Sequence, residues 1–368
     1  MKIVVAPDKF KGSLSANEVC ASIEKGIKKL DEQIEVLKVP LADGGEGTLG
    51  VIESLYNPIR VKCEVLDPLS RPIEAYYLKS NNTAFIEMAK ASGLQLLKKK
   101  ERNPLYTTTY GTGQLIKDAL DRGVSEIYLM IGGSATNDGG IGMAQALGYS
   151  FKDRFGGELL PVGESLTKIQ KVIPPIDTVS ITKCKVTVLT DVQNPLFGED
   201  GASRIYGPQK GASHKEVELL DNGLEHLANL MGNANELMVG TGAAGGLGYG
   251  AMSFLGADLR SGIEVLLEIS DFKKLLKNTD LIITGEGKFD EQTLSGKVIF
   301  GVSQAANQNN IPYGILCGVQ DDFEIKDMAP VFVDEVSRLS NSFQDSMKNA
   351  STYLTELAAQ QLAAFIKS

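Results

Sequence analysis

The stretch Leu281–Gly301, LIITGEGKFDEQTLSGKVIFG, decides how the chain is read. Leu281, Ile282 and Ile283 form a short apolar run that stops at a turn signal, the pattern of a strand buried on both faces of a parallel sheet. The run ends at Gly285-Glu286-Gly287, where glycine lets the backbone turn sharply and lets a ligand approach closely. Lys288, Asp290, Glu291, Thr293 and Ser295 follow, then Gly296-Lys297 ahead of another apolar run. In open α/β sheets, ligands bind beyond the carboxyl ends of the strands. A buried strand that ends in acids, hydroxyls and lysines is therefore a candidate for handling phosphate and a metal ion.

Outward from this stretch, the 368 residues are too many for one ordinary core and suggest two domains. The charged and apolar fractions, 23% and 43%, are those of a soluble globular protein. A net charge of -9 argues against nucleic acid or an anionic membrane as the main partner. It leaves room for an anionic substrate, because a metal ion or a small basic pocket overrides the overall field locally. Cys20, Cys63, Cys184 and Cys317 lie far apart without a CxxC pair, and read as reduced core thiols of a cytoplasmic protein rather than as a zinc site. The N-terminal apolar run is too short for a signal peptide. The longest uncharged stretch, Leu237 to Ala257, is interrupted by seven glycines and does not read as a membrane span.

Ile3 to Ala6 reads as a first buried strand, left by the turn Pro7-Asp8-Lys9-Phe10-Lys11-Gly12-Ser13. Ser15-Ala16-Asn17-Glu18 has the capping-box spacing and predicts a helix to about Leu30. Val36 to Val39 is a second strand that runs into Asp43-Gly44-Gly45-Glu46-Gly47-Thr48. The pattern then changes. Val61 to Leu66 and Glu74 to Leu78 read as a hairpin, with a further strand at Ala84 to Met88. Antiparallel-looking strands after a βα opening suggest a second domain inserted into the first. Thr107 to Gly113 precedes a helix reaching about Arg122, and the strand Ile127 to Ile131 leads into a glycine-rich loop and a helix to about Leu147. Val186 to Leu189 ends in Thr190-Asp191-Val192, and Gly240 to Gly248 is a third long glycine-rich loop. Tyr313 to Cys317 and Val331 to Val333 complete a parallel sheet, and the segment from about Asn349 to Ile366 makes a closing amphipathic helix.

Five strand ends thus carry an acid beside glycine, hydroxyl or amide residues: Asp8, Asp43 with Glu46, Asn137 with Asp138, Asp191, and Glu286 with Asp290. Each alone reads as a helix cap or a turn. As a set, on one parallel sheet, they would face the same rim. Clustered carboxylates raise one another's pKa unless a cation sits among them, and Mg²⁺ takes one or two carboxylates plus waters and phosphates. Lys9, Lys11, Lys210, Lys288 and Lys297 lie in the same loops and suit phosphate oxygens. Arg71, Arg102 and Arg204 are available for a substrate carboxylate. The two histidines, His214 and His226, sit in a polar helical stretch, so a general base is expected to be a carboxylate. Gly296-Lys297 is not a P-loop, since Glu291 and Val298 stand where glycine and a hydroxyl are required. These residues point to an α/β enzyme acting on phosphate esters or nucleotides with Mg²⁺.

The blocks Ala6-Pro7-Asp8 with Phe10-Lys11-Gly12-Ser13, Ala42 to Thr48, Gly132 to Gly140, Thr190-Asp191-Val192 with Asn194-Pro195-Leu196, Gly207 to Ala212, and Thr284-Gly285-Glu286-Gly287 with Asp290, Gln292-Thr293 and Gly296-Lys297 together resemble the glycerate kinase family of the bacterial glycerate 2-kinase type. The resemblance covers nearly the whole chain in order. It departs at Val298-Ile299-Phe300, where the family pattern has a proline, and at Lys9, where serine is common. It implies ATP-dependent phosphorylation of D-glycerate with Mg²⁺, at the 2-hydroxyl to give 2-phosphoglycerate, with the 3-hydroxyl as the alternative. It also implies a Rossmann-like parallel-sheet domain, residues 1–62 and 275–368, interrupted by a second α/β domain, residues 63–274, with the active site in the cleft between them.

On this resemblance, Asp191 is the first choice for the carboxylate that deprotonates the glycerate hydroxyl and Asp43 the second, with Lys11 also catalytic. Asp8, Ser13, Arg71 and Lys297 are expected on the substrate, and Glu286 and Asp290 on the metal. Gly133, Ser134, Asn137, Asp138, Gly245 and Gly246 are expected on the nucleotide. ATP and D-glycerate are then the small-molecule partners, and a homodimer is compatible with them. A Rossmann-type dehydrogenase of a small hydroxy acid would need a glycine fingerprint after the first strand, where Pro7-Asp8-Lys9-Phe10 stands. A nonenzymatic sensor would bind ATP or a sugar acid without turnover.

Overall fold

The computed structural model describes residues 1–368 except 46, 177–178, 233–234, 236–237, 292, 294–295, 324, 326–327 and 368, with the backbone alone at 179–180. Glu46, Leu237, Gln292 and Ser295, named above, lie outside the described residues. The chain forms two compact units, Met1–Asp43 with Ser261–Ser368, and Gly44–Arg260. The strands of the two main sheets, in chain order, are β1 (Lys2–Val5), β2 (Glu35–Lys38), β3 (Ile59–Leu66), β4 (Pro72–Ser80), β5 (Thr83–Glu87), β6 (Glu126–Met130), β7 (Lys185–Leu189), β8 (Asp258–Arg260), β9 (Leu281–Thr284), β10 (Tyr313–Cys317) and β11 (Phe332–Glu335).

In the first unit a five-stranded sheet runs β11-β10-β9-β1-β2, parallel throughout, with Ile3 beside both Leu281 and Val36. The interior strands β9 and β10 are buried along their length because helices cover both faces. On one face Ile3, Val5, Leu281 and Ile283 pack against α1 (Ala16–Leu30) and the closing helix Phe343–Lys367. The predicted capping box of α1 is present: the amide of Glu18 donates to the Ser15 hydroxyl at 3.3 Å, and the amide of Ser15 donates to the Glu18 carboxylate at 2.8 Å. The two helices approach closely at Gly26, where a Cβ would fall 2.3 Å from the Thr355 carbonyl oxygen. Only glycine permits that spacing. The closing helix begins at Phe343, earlier than the alanine-rich pattern indicates, because the Ser342 hydroxyl accepts from the amide of Asp345 at 3.2 Å and caps a polar first turn.

In the second unit a six-stranded sheet runs β8-β7-β6-β5-β4-β3. β3, β4 and β5 form an antiparallel meander, and β5 to β8 pair in parallel. The acidic strand ends expected on one rim are therefore divided between two sheets. The meander opens a sheet of its own, so Asp8, Asp43 and Glu286 follow strands of one sheet while Asp138 and Asp191 follow strands of the other. Two local expectations also change. Thr107–Gly113 does not wholly precede its helix, which starts at Tyr110. The Gly240–Gly248 stretch is not a simple loop: a helix spans Ala243–Leu255, interrupted by left-handed backbone at Ala244, Gly245 and Gly246. No helix among the described residues is long and apolar enough to cross a membrane.

Filling the α1 crossing tests the packing account. Gly26→Val is expected to destabilise the protein by about 1–3 kcal/mol through overpacking, read as a lower urea midpoint; an unchanged midpoint would show that the two helices are free to separate.

Candidate active site

The order of the first sheet creates the crevice. From β1 the chain crosses to β2 on one side, whereas from β9 it crosses to β10 on the other, so the carboxyl ends of β1 and β9 splay at a topological switch point. The two ends stay joined just beyond the strands: the amide of Asp8 donates to the Gly285 carbonyl at 2.8 Å, and the Thr284 hydroxyl donates to the Ala6 carbonyl at 2.8 Å. Gly285 is required there, since a Cβ would fall 1.8 Å from the Leu316 carbonyl oxygen. A cavity of about 640 Å³ opens at this point, within the 300–1,000 Å³ range typical of ligand pockets. Asp8, Lys11, Ser13, Asp43, Glu286 and Lys297 all line it, so the structure brings together these expected residues from four separate segments.

Two of the carboxyl groups are out of water. Burial, reinforced by Asp43 and opposed by Lys9, pushes Asp8 up to about 6. Burial pushes Glu286 up to about 7, with Asp8 and Asp290 adding to the rise while the Thr293 hydroxyl and Lys297 oppose it. Glu286 accepts a hydrogen bond from Thr293 Oγ1. Asp290, by contrast, already has cations beside it: Lys288 Nζ at 3.4 Å and Lys297 Nζ at 3.5 Å. Ser13 donates to the Met347 carbonyl at 2.7 Å and ties the β1–α1 turn to the closing helix. Among the described residues, no three acidic, histidine or cysteine side chains stand close enough to hold a metal ion by themselves. Asp8 and Glu286 nevertheless fit a Mg²⁺ ion that draws its remaining ligands from water and phosphate, since they are hard oxygen donors on one cavity wall whose pKa values burial has raised.

The remaining expected residues belong to the second unit. Lys210 is buried, and its ammonium donates to Ser134 Oγ at 2.6 Å and to the Thr136 carbonyl at 2.7 Å. Burial pushes it down to about 7, and Asp138 opposes the shift. With its lone pair engaged by Lys210, the Ser134 hydroxyl keeps its own proton to donate. Asn137 donates to Ser203 Oγ at 2.7 Å, and its buried Oδ1 has no hydrogen-bond partner among the described residues. Asp138 is fully buried and accepts from Thr109 Oγ1 and from the amides of Thr109, Gly140 and Gly142, which makes it the brace of its own loop. Gly245 packs against the Thr136 carbonyl and Gly246 against Gly139, while Gly133 stands in more open space. Asp191 is half-buried just beyond β7. Arg71 is engaged by two acids, with Nε on Asp67 at 2.6 Å and Nη1 on Glu101 at 2.9 Å. His226 contacts the Ile169 carbonyl at 2.7 Å, and neither histidine lines the cavity.

The residue reading missed the apolar side of the cavity, formed by Phe10, Val336, Phe343, Met347 and Ala350. Its signal was the i, i+4, i+7 spacing of Phe343, Met347 and Ala350, hidden because the closing helix was expected to start later.

The profile of the glycerate kinase family matches residues 3–367. A glycerate kinase of Bacillus subtilis (strain 168) is 40% identical over 100% of this chain and 98% of its own. A glycerate 2-kinase of Escherichia coli (strain K12) is 44% identical over 88% of this chain and 86% of its own. A crystal structure of the Salmonella typhimurium LT2 protein assigned as glycerate kinase 2 superposes with a TM-score of 0.85 at 40% identity, covering 100% of this chain and 98% of that one.

The raised carboxyls have a pH signature. A group whose folded pKa lies above its ordinary value, here 4.5 for Glu286, contributes stability below that value and loses it as pH rises through the folded one. The Tm of the unaltered protein relative to Glu286→Gln is expected to fall from about pH 4.5 to about pH 7. Parallel Tm–pH curves for the two proteins would remove Glu286 from the buried acidic pair.

Proposed function

The chain belongs to the glycerate kinase family and is an enzyme, a phosphotransferase with an alcohol acceptor, and we propose that it moves the γ-phosphoryl group of ATP to the 2-hydroxyl of D-glycerate with Mg²⁺. The observation that carries this reading is the switch-point cavity of the first unit, where buried carboxylates and lysines converge. The 2-position draws support from the relative named glycerate 2-kinase. The four free cysteines support a cytoplasmic setting.

Phosphoryl transfer asks a protein for positioning and charge neutralisation more than for covalent chemistry. Lys11 and Lys297 reach the cavity and supply the cations for the transferring phosphate. Asp8 and Glu286 would hold the Mg²⁺, with Asp290, whose Oδ1 lies 3.5 Å from Lys297 Nζ, setting the place of that lysine and contributing to the metal's environment. When bound, Mg²⁺ neutralises the charge that builds on the phosphate oxygens. Asp191 takes the proton of the glycerate hydroxyl, with Asp43 as the second candidate. In the second unit, Gly133 and the Lys210-backed Ser134 hydroxyl form an anion seat for a nucleotide phosphate or the glycerate carboxylate. Asn137, Asp138, Gly245 and Gly246 support it from behind. Arg71, engaged by two acids, would have to exchange partners to reach a carboxylate.

Incubation with Mg-ATP and D-glycerate, with the product resolved as the 2- or 3-phosphate, tests the reading directly, and 2-phosphoglycerate is expected. Asp191→Asn should lower kcat by about 10²–10⁴-fold with the fold intact, and undiminished turnover would pass the role to Asp43. Alanine at both Glu286 and Asp290 should weaken the response to Mg²⁺, and an unaltered Mg²⁺ titration would cancel the metal assignment.

A further inference from the structure

Glycerate has three carbons and no ring, yet one side of the cavity is apolar. The first two turns of the closing helix present Phe343, Met347 and Ala350 toward it at i, i+4 and i+7, beside Val336 and Phe10. Further along, the helix is spoken for: Leu354, Leu357, Ala358 and Leu362 sit in the core of the first unit. Its first turns therefore have a different job. Phe343 is 76% exposed, an aromatic face left in water a short way from the lysines and acids of the switch point. The wall is also fixed in place, since Ser13 donates to the Met347 carbonyl at 2.7 Å and a Cβ on Gly12 would already touch Met347 Cε at 3.2 Å. A cavity of about 640 Å³ with an apolar strip bordered by serine hydroxyls and Asn341 on one side and a charged end on the other matches a ligand built as a polar-edged aromatic ring joined to a polyanion.

We infer that the Phe343–Met347 face of the closing helix is the seat of the nucleobase of the phosphoryl donor, with the polyphosphate directed to Lys11, Lys297 and the Asp8–Glu286 pair. This rests on the reading of the chain as an ATP-using kinase. It places the donor in the first unit and gives the apolar wall its function. Stacking of a base on an aromatic side chain accounts for the exposed ring.

The chain contains no tryptophan, so Phe343→Trp supplies the sole indole. Titrating that protein with Mg-ATP should change its emission saturably, whereas Mg-tripolyphosphate, which carries the charge without the base, should not. Because Phe343 is exposed, Phe343→Ala should keep its circular dichroism and its kcat, while KM for ATP rises roughly 5- to 150-fold and KM for D-glycerate stays the same. Emission that is flat with ATP in a protein that still turns over would overturn the seat and leave the kinase reading intact. An equal response to tripolyphosphate would also overturn it. Saturable ATP quenching in a protein that never phosphorylates D-glycerate would support the seat and sink the kinase reading.

Discussion

The first unit depends on a standing electrostatic conflict. Asp8 and Glu286 follow neighbouring strands, burial raises the proton affinity of both, and a second carboxylate adds to each rise: Asp43 for Asp8, and Asp8 for Glu286. Burying two carboxyl groups at one pair of strand ends is a cost to the fold, and the surrounding geometry keeps them there. The Asp8–Gly285 backbone bond pins the strand ends together, and Gly285 is the residue that lets β9 turn away against the Leu316 carbonyl. Lysines stand near without closing the conflict: Lys9 lies 3.9 Å from Asp8, and Lys297 is shared with Asp290. Such a site suits a cation that arrives with its own anionic ligand.

Much of this architecture was legible in the residues, because its signals are local. β1, β9 and β10 announce themselves as short apolar runs, and the Ser15–Glu18 box places the start of α1 at the right residue. What was not legible is pairing. A strand's periodicity says which faces it buries but not which sheet it joins, so the meander β3–β5 was legible as the opening of a second domain while the division of the acidic strand ends between two sheets was not. The closing helix was read short for a related reason: its first turns are polar and lack the alanine-rich pattern of the rest, and only the Ser342 cap marks them.

The site residues divide along the same line. Asp8 and Asp138 look alike in sequence, each an acid after a strand and close to glycine. Asp8 ends on a cavity wall, whereas Asp138 is saturated by four donors of its own unit. Burial is a property of the assembled fold, and no spacing rule separates the two. Lys210 shows the reverse case: it read as one loop lysine among five and proves to be buried, with its charge set behind the Ser134 hydroxyl.

The first unit is stitched from chain segments made far apart in time. β1 has β2 as a local neighbour, but its other neighbour β9 and the closing helix that locks against Gly26 emerge only after residues 44–260 have been synthesised. At ribosomal speeds that interval lasts tens of seconds. Throughout it β1, α1 and β2 have one another but lack the cover of β9 and the closing helix, while the second unit, being continuous, is free to fold as it leaves the ribosome. The N-terminal segment thus reaches its finished core only when the Phe343–Lys367 helix arrives to close over α1.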